Sequence, residues 1–197
     1  MKQKIMQVIK ERDDSQPLSC VIQLDDVYWV GERHGGSRGR GSKNKHPFVA
    51  AVSTNEEGHP VAMNMTVIKG FRLTEISRWA QRHLQAGSLV VSEGLACFKA
   101  VKQAHCEHES IVTGGGFQSV TKEEFTWVNT MIGNFKTAIT GTYHAIRSQH
   151  LPRYLAEFRF RFNWRFQLRE MLPRFAYVAL RTPPMPVKLL KMSEDYG

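Results

Sequence analysis

Three cysteines in 197 residues, Cys20, Cys97 and Cys106, are too few and too widely spaced for a disulfide framework, and no C-x-x-C pair offers half of a structural zinc site. Long apolar runs are missing too. A stretch such as Phe48-Val49-Ala50-Ala51-Val52 falls far short of the roughly 18 residues that a bilayer span requires. The first residues, MKQKIMQVIKERDD, lack the continuous apolar core of a secretory signal. These absences exclude membrane-spanning and disulfide-scaffold classes and give the expectation of a cytoplasmic protein with no membrane partner. Acid is scarce as well: 18 Asp and Glu stand against 27 Lys and Arg, a net charge of +9, which favours a polyanionic partner, nucleic acid first. What is present is ordinary globular composition, 42% hydrophobic and 23% charged, in a length that suits one domain of about 150 residues with short appendages.

Periodicity divides the chain. Ile5, Val8 and Ile9 predict a short amphipathic helix over 1–12, and Pro17 opens the body. The β-branched and aromatic run LSCVIQLDDVYWV (18–30) predicts a first strand, followed by a Gly-rich basic loop, 31–46. PFVAAVS (47–53) and PVAMNMTVI (60–68) flank the turn-forming 55–58 and predict a hairpin. Leu73, Ile76, Trp79, Ala80 and Leu84 recur at helical spacing, ending near Gly87. A strand at 88–92, a short helix at 95–102 and a fifth strand, HESIVT (108–113), come next. Thr121 with Glu124 reads as a capping box for a helix over about 122–140, and further helices are expected near 150–163 and 167–181. Three antiparallel strands followed by strands reached through helical crossovers predict an α/β fold: a ribonuclease-H-like mixed five-stranded sheet covered by helices.

Two acids stand out against that frame. Asp25 lies inside a strand, where Asp is depleted and a buried charge needs a partner or a metal. Glu93 closes the strand SLVVS, at the carboxyl end where an open α/β sheet forms its crevice. In a ribonuclease-H-like sheet these positions are neighbours, and carboxylates that converge there call for a cation. Mg²⁺ suits oxygen ligands and leaves positions for substrate phosphates. Asn129 and Lys136, two helical turns apart, share a face of the predicted 122–140 helix. Each residue alone also reads as a solvated or turn position, and alternation alone does not choose between Asp25 and Asp26.

The runs QLDDVYWVGER (23–33), VVSEGLACF (90–98), WVNTMIGNFK (127–136), GTYHAI (141–146) and YLAEFRFRFN (154–163) resemble the catalytic domain of bacterial insertion-sequence transposases, in order, across about 18–191. The resemblance implies a metal site of the Asp-Asp-Asn-Lys or Asp-Asp-Glu-Lys type. Asp25 would be its first ligand, in preference to Asp26, Glu93 would stand where Asp is usual, and Asn129 would stand where Asn or Glu occurs. Lys136 matches a DNA-contacting lysine. It implies Mg²⁺ or Mn²⁺ as cofactor, transposon ends and target as double-stranded DNA partners, a homo-oligomer when ends are synapsed, and nucleoid association. Relatives usually carry an N-terminal zinc-binding module and a helix-turn-helix. Residues 1–17 are therefore expected to be a helix and linker left from a longer region, 18–191 the catalytic domain, and 192–197 a tail. Two functional readings follow: metal-dependent strand cleavage and strand transfer, or a truncated, catalytically weak remnant that binds DNA without efficient cleavage.

Arg33, Arg38, Arg40, Lys43 and Lys45 in the 31–46 loop are the expected DNA-binding residues, since glycines let backbone follow a phosphate strand closely. Late arginines at 153, 159, 161, 165 and 169 supply an alternative basic surface, beside a buried face of Leu151, Leu155, Phe158 and Phe162. His105, Cys106 and His108 are close in sequence but alternate in direction on a strand and lack a second ligand pair, so zinc is not expected there.

Overall fold

A computed structural model describes residues 2–11, 16–30, 45–111, 123–143 and 146–191. Its sheet is built from β1 (Val21–Val30), β2 (Lys45–Thr54), β3 (Pro60–Val67), β4 (Leu89–Glu93) and β5 (Glu107–Ile111), in the order β3-β2-β1-β4-β5. β2 pairs antiparallel with β1 and β3, while β4 and β5 run parallel to β1. This is the ribonuclease-H-like arrangement expected from the order of elements. The helices are α1 (Lys2–Glu11), α2 (Leu73–His83), α3 (Thr126–Ala138), α4 (Leu151–Asn163), α5 (Leu168–Arg181) and α6 (Val187–Lys191). Among the described residues no helix is long and apolar enough to cross a membrane.

Strand alternation sorts the core into two layers. Ile22, Leu24, Val49, Ala51 and Val90 face Ile76, Trp79 and Ala80 of α2 on one side of the sheet. Val27, Phe48, Ala50, Val52, Met63 and Val91 face Val128, Ile132 and Phe135 of α3 and Leu151 and Leu155 of α4 on the other. Met6 of α1 joins this second layer. A buried guanidinium fastens that side: Arg153 donates from Nε to Gln7 Oε1 (2.5 Å) and from a terminal nitrogen to the Leu190 carbonyl (3.0 Å), tying α1, α4 and α6.

Several boundaries differ from expectation for local reasons. The helix expected over 95–102 is a 3₁₀ segment, Ala96–Ala104, whose buried Phe98, Val101 and Ala104 recur every three residues, the period at which 3₁₀ side chains eclipse. It stops at His105 in the left-handed region (φ 57°). β2 begins at Lys45, opposite Val30, so Lys45 and His46 belong to the sheet rather than to the basic loop. The edge strand β3 is covered rather than left open. Asn163, at the end of α4, accepts from Met63 N–H (2.8 Å) and donates to Met63 O (3.1 Å), and Arg165 donates to the carbonyls of Pro60 and Val61. Such capping keeps an edge from pairing with another chain.

Candidate active site

Parallel pairing of β1 with β4 runs from Val21↔Leu89 to Leu24↔Ser92. The next step brings Asp25 beside Glu93, where β4 ends and β1 continues past it. Alternation sets Asp25 on the α3 side with Val27, and Glu93 on that same side with Val91, while Asp26 belongs to the α2 side with Leu24. The structure thus separates the two adjacent acids that sequence pattern alone left equivalent.

The electrostatics follow from this placement. The Asp25 carboxyl is pushed up to about 7, first by burial and then by repulsion from Asp26, with a further contribution from Glu93. The Asp26 N–H, which donates to Asp25 Oδ1 at 2.7 Å, and the Lys136 ammonium oppose that rise without cancelling it. Burial is the largest cause, and on the α3 side the Glu93 charge outweighs that of Lys136.

The helix bearing Asn129 and Lys136 is set by a residue that the sequence reading did not single out. Gln23, buried on β1 two residues before Asp25, accepts with Oε1 from the N–H groups of Trp127 and Val128, both at 2.9 Å. Those are N-terminal helix donors that have no intrahelical acceptor. No side-chain cap comes from the helix's own flank, Phe125, so the sheet caps α3 directly. The helix starts at Thr126, later than the expected 122, and Thr121 lies outside the described residues. Asn129 follows Val128 immediately and is half-buried, while Lys136, about 10 Å further along the helix, is exposed. The Trp127 indole donates to Gly58 O (2.7 Å), pinning the same helix end to the β2–β3 turn. A polar Gln on the strand face that carries Asp25 was the available signal, but its acceptor role depends on residues more than a hundred positions away.

Oxygen donors from two carboxylates and a carboxamide suit Mg²⁺ or Mn²⁺, and a divalent ion there would favour the ionised form of Asp25 against its burial and the Glu93 charge. Asp25, Glu93 and Asn129 therefore fit the implied cofactor chemically. Among the described residues, no three His, Cys, Asp or Glu side chains gather into a metal-binding group. Cys106 is buried with its thiol toward Gln85 O, and His108 pairs with Ser92 Oγ at 2.8 Å.

Arg33, Arg38, Arg40 and Lys43 lie outside the described residues; Lys45 stands at the start of β2. The late arginines do not form one basic surface. Arg153 and Arg159 are buried, and burial lowers the Arg159 guanidinium to about 10. Arg165 is spent on β3 carbonyls, and Arg161 pairs with Glu157 at 3.3 Å. Phe158 and Phe162 pack against the core, as their spacing predicts. Tyr143 also packs, edge-on to Tyr154 with the Lys2 ammonium over its ring, whereas His144 is outside the described residues.

The family model of the ISXO2-like transposase domain matches residues 17–163, a span that contains Asp25, Glu93, Asn129 and Lys136 and ends at the residue that caps β3. Among solved structures, the crystal structure of the Mos1 strand transfer complex aligns at 10% identity with a TM-score of 0.39, covering 91% of this chain and 59% of that one. The present chain thus spans about three-fifths of that chain's length. No curated protein matches the chain.

Proposed function

The chain belongs to the ISXO2-like transposase domain family, and from that premise we propose that it is a DNA-processing catalytic domain that cleaves and joins phosphodiester bonds at the ends of an insertion sequence. The observation that carries this reading is the parallel register of β1 and β4, which sets the half-buried Asp25 beside Glu93 on the α3 side of the sheet.

Asp25, Glu93 and Asn129 would hold Mg²⁺ or Mn²⁺. Bound there, the ion supplies charge neutralisation for an in-line displacement at phosphorus, as water or a freed 3′-OH attacks. The residues of the chain do the rest. Asp25 and Glu93 contribute the anionic oxygens, and Asn129 contributes a neutral carbonyl oxygen, which orients a ligand with less charge than Glu would supply. Gln23 fixes the helix that presents Asn129 and Lys136. The exposed Lys136 ammonium is suited to a DNA phosphate near the crevice, and the basic stretch with Arg33, Arg38, Arg40, Lys43 and Lys45 to further phosphates. Double-stranded DNA is the proposed partner, with a homo-oligomer proposed for pairing two ends.

The test is nicking of supercoiled DNA that carries the element's own ends, with Mg²⁺, with Mn²⁺ and with chelator. Divalent-dependent nicking that Asp25→Asn abolishes is expected. Cleavage that persists in Asp25→Asn overturns the assignment. DNA binding with no cleavage in either metal favours instead the weak remnant, in which the longer Glu93 side chain displaces the ion.

A further inference from the structure

A second polar site lies on the other side of the sheet. β3 and α2 border an open cleft of about 190 Å³ whose walls include Lys69, Glu75, Arg78, Arg82 and His83. It borders the α2 layer at the sheet edge, whereas Asp25 and Glu93 face the α3 layer, so the two sites are separate.

Part of the cleft wall is a connected hydrogen-bond network. Asn64, buried on β3, accepts with Oδ1 from Thr66 Oγ1 (2.7 Å) and from Trp79 Nε1 (3.2 Å), which fixes its amide orientation. Its Nδ2 therefore donates to His83 Nδ1, 3.2 Å away. Burial, with Arg82 alongside, pushes the His83 imidazole down to about 4, so the ring is neutral at pH 7. With Nδ1 accepting, the proton sits on Nε2, leaving a neutral N–H donor on the cleft wall. The Thr66 hydroxyl is already committed as a donor.

Cations face that wall. Lys69 and Arg82 are exposed, and neither has an acid partner among the described residues. Arg78 lies 3.6 Å from Glu75, a loose pair on the α2 surface. Three cations against one carboxylate leave the cleft with two net positive charges at pH 7, beside a fixed imidazole N–H. An anion with several oxygens, and more than one charge, matches that combination better than a single carboxylate, because guanidinium and ammonium donors share its oxygens.

We propose that this cleft binds a phosphate group through Arg82, Lys69 and Arg78, with His83 Nε2–H as a neutral donor and Glu75 as an internal competitor for Arg78. The group belongs either to a DNA backbone or to free phosphate, two sources with the same chemistry. The site does not depend on the proposed cleavage chemistry.

The test titrates inorganic phosphate into the full chain at ionic strength held constant with chloride, reading the Trp79 indole N–H resonance beside the cleft and, in parallel, the heat of binding. A saturable shift is expected. Arg82→Gln with Lys69→Gln, both at exposed positions, should weaken phosphate by at least about tenfold, and Glu75→Gln should tighten it by releasing Arg78. No saturable shift, or equal affinity in the Arg82/Lys69 variant, overturns the proposal. The second arm measures duplex affinity against salt for the same variant. A slope shallower by up to about 0.9 per lost contact assigns the phosphate to a DNA backbone. An unchanged slope with phosphate binding lost in the variant assigns it to the free anion. Asp25→Asn should leave the phosphate titration unchanged, so failure of the cleavage reading and failure of this one are told apart.

Discussion

Burial and the carboxylates of Asp26 and Glu93 hold Asp25 near 7, against an ordinary value of 3.8. The folded chain therefore binds a proton there that the unfolded chain has already lost. The resulting stabilisation is complete below about pH 4 and disappears as pH rises through about 7; it is on the order of 4 kcal/mol. His83 works in the opposite direction over the same range. Its folded value near 4 lies below the ordinary 6.5, so its contribution is lost as pH falls. The two are separated by difference: in thermal melts without divalent ions, Asp25→Asn should be more stable than the wild type at pH 8, with the gap closing toward pH 4. A gap independent of pH would remove Asp25 from the role of strained carboxylate. The importance of Asp25 was legible as an acid inside a strand. Its distinction from Asp26 was not, because two adjacent strand residues give the same pattern until the rest of the sheet decides which face each one meets.

α3 shows what periodicity does and does not carry. Phe125, Val128, Ile132, Phe135 and Ile139 are all buried, so the stripe was readable at helical spacing. Where the helix begins was not, since its end is held by Gln23 from the sheet rather than by its own flank. Gln23→Leu should orphan two buried N–H groups and cost about 1–3 kcal/mol for each one left unsatisfied, visible as a lower urea midpoint. It should also weaken metal binding by releasing Asn129 and Lys136 from register. Loss of stability with metal affinity intact would show that α3 is tethered for stability alone. The late arginines failed as a basic surface for a related reason: helix position alone does not distinguish a solvated guanidinium from Arg153, which is buried against Gln7 and Leu190.

Across the whole molecule the charge of +9 favours a polyanion, and the 31–46 stretch is the proposed main contact. Replacing Arg38, Arg40 and Lys43 with Ala should weaken duplex binding and make the slope of log K against log salt shallower by up to about 0.9 per lost contact. An unchanged slope would move the DNA surface elsewhere. Glu93→Asp should leave DNA affinity unaltered and raise metal-dependent nicking, since a misplacement of about 1 Å in a reacting geometry costs on the order of 10²-fold in rate. Equal rates would show that the crevice accommodates the longer acid. Strand order was legible from the sequence of hairpin and crossovers, but the apposition of Asp25 and Glu93 depends on a parallel register that no local pattern encodes. The most direct measurement of the central claim is Mn²⁺ affinity, read by electron paramagnetic resonance at pH 8, for the wild type, Asp25→Asn and Glu93→Gln. Saturable binding that each substitution weakens by at least about tenfold is the predicted result. Equal affinity in all three proteins would contradict the site.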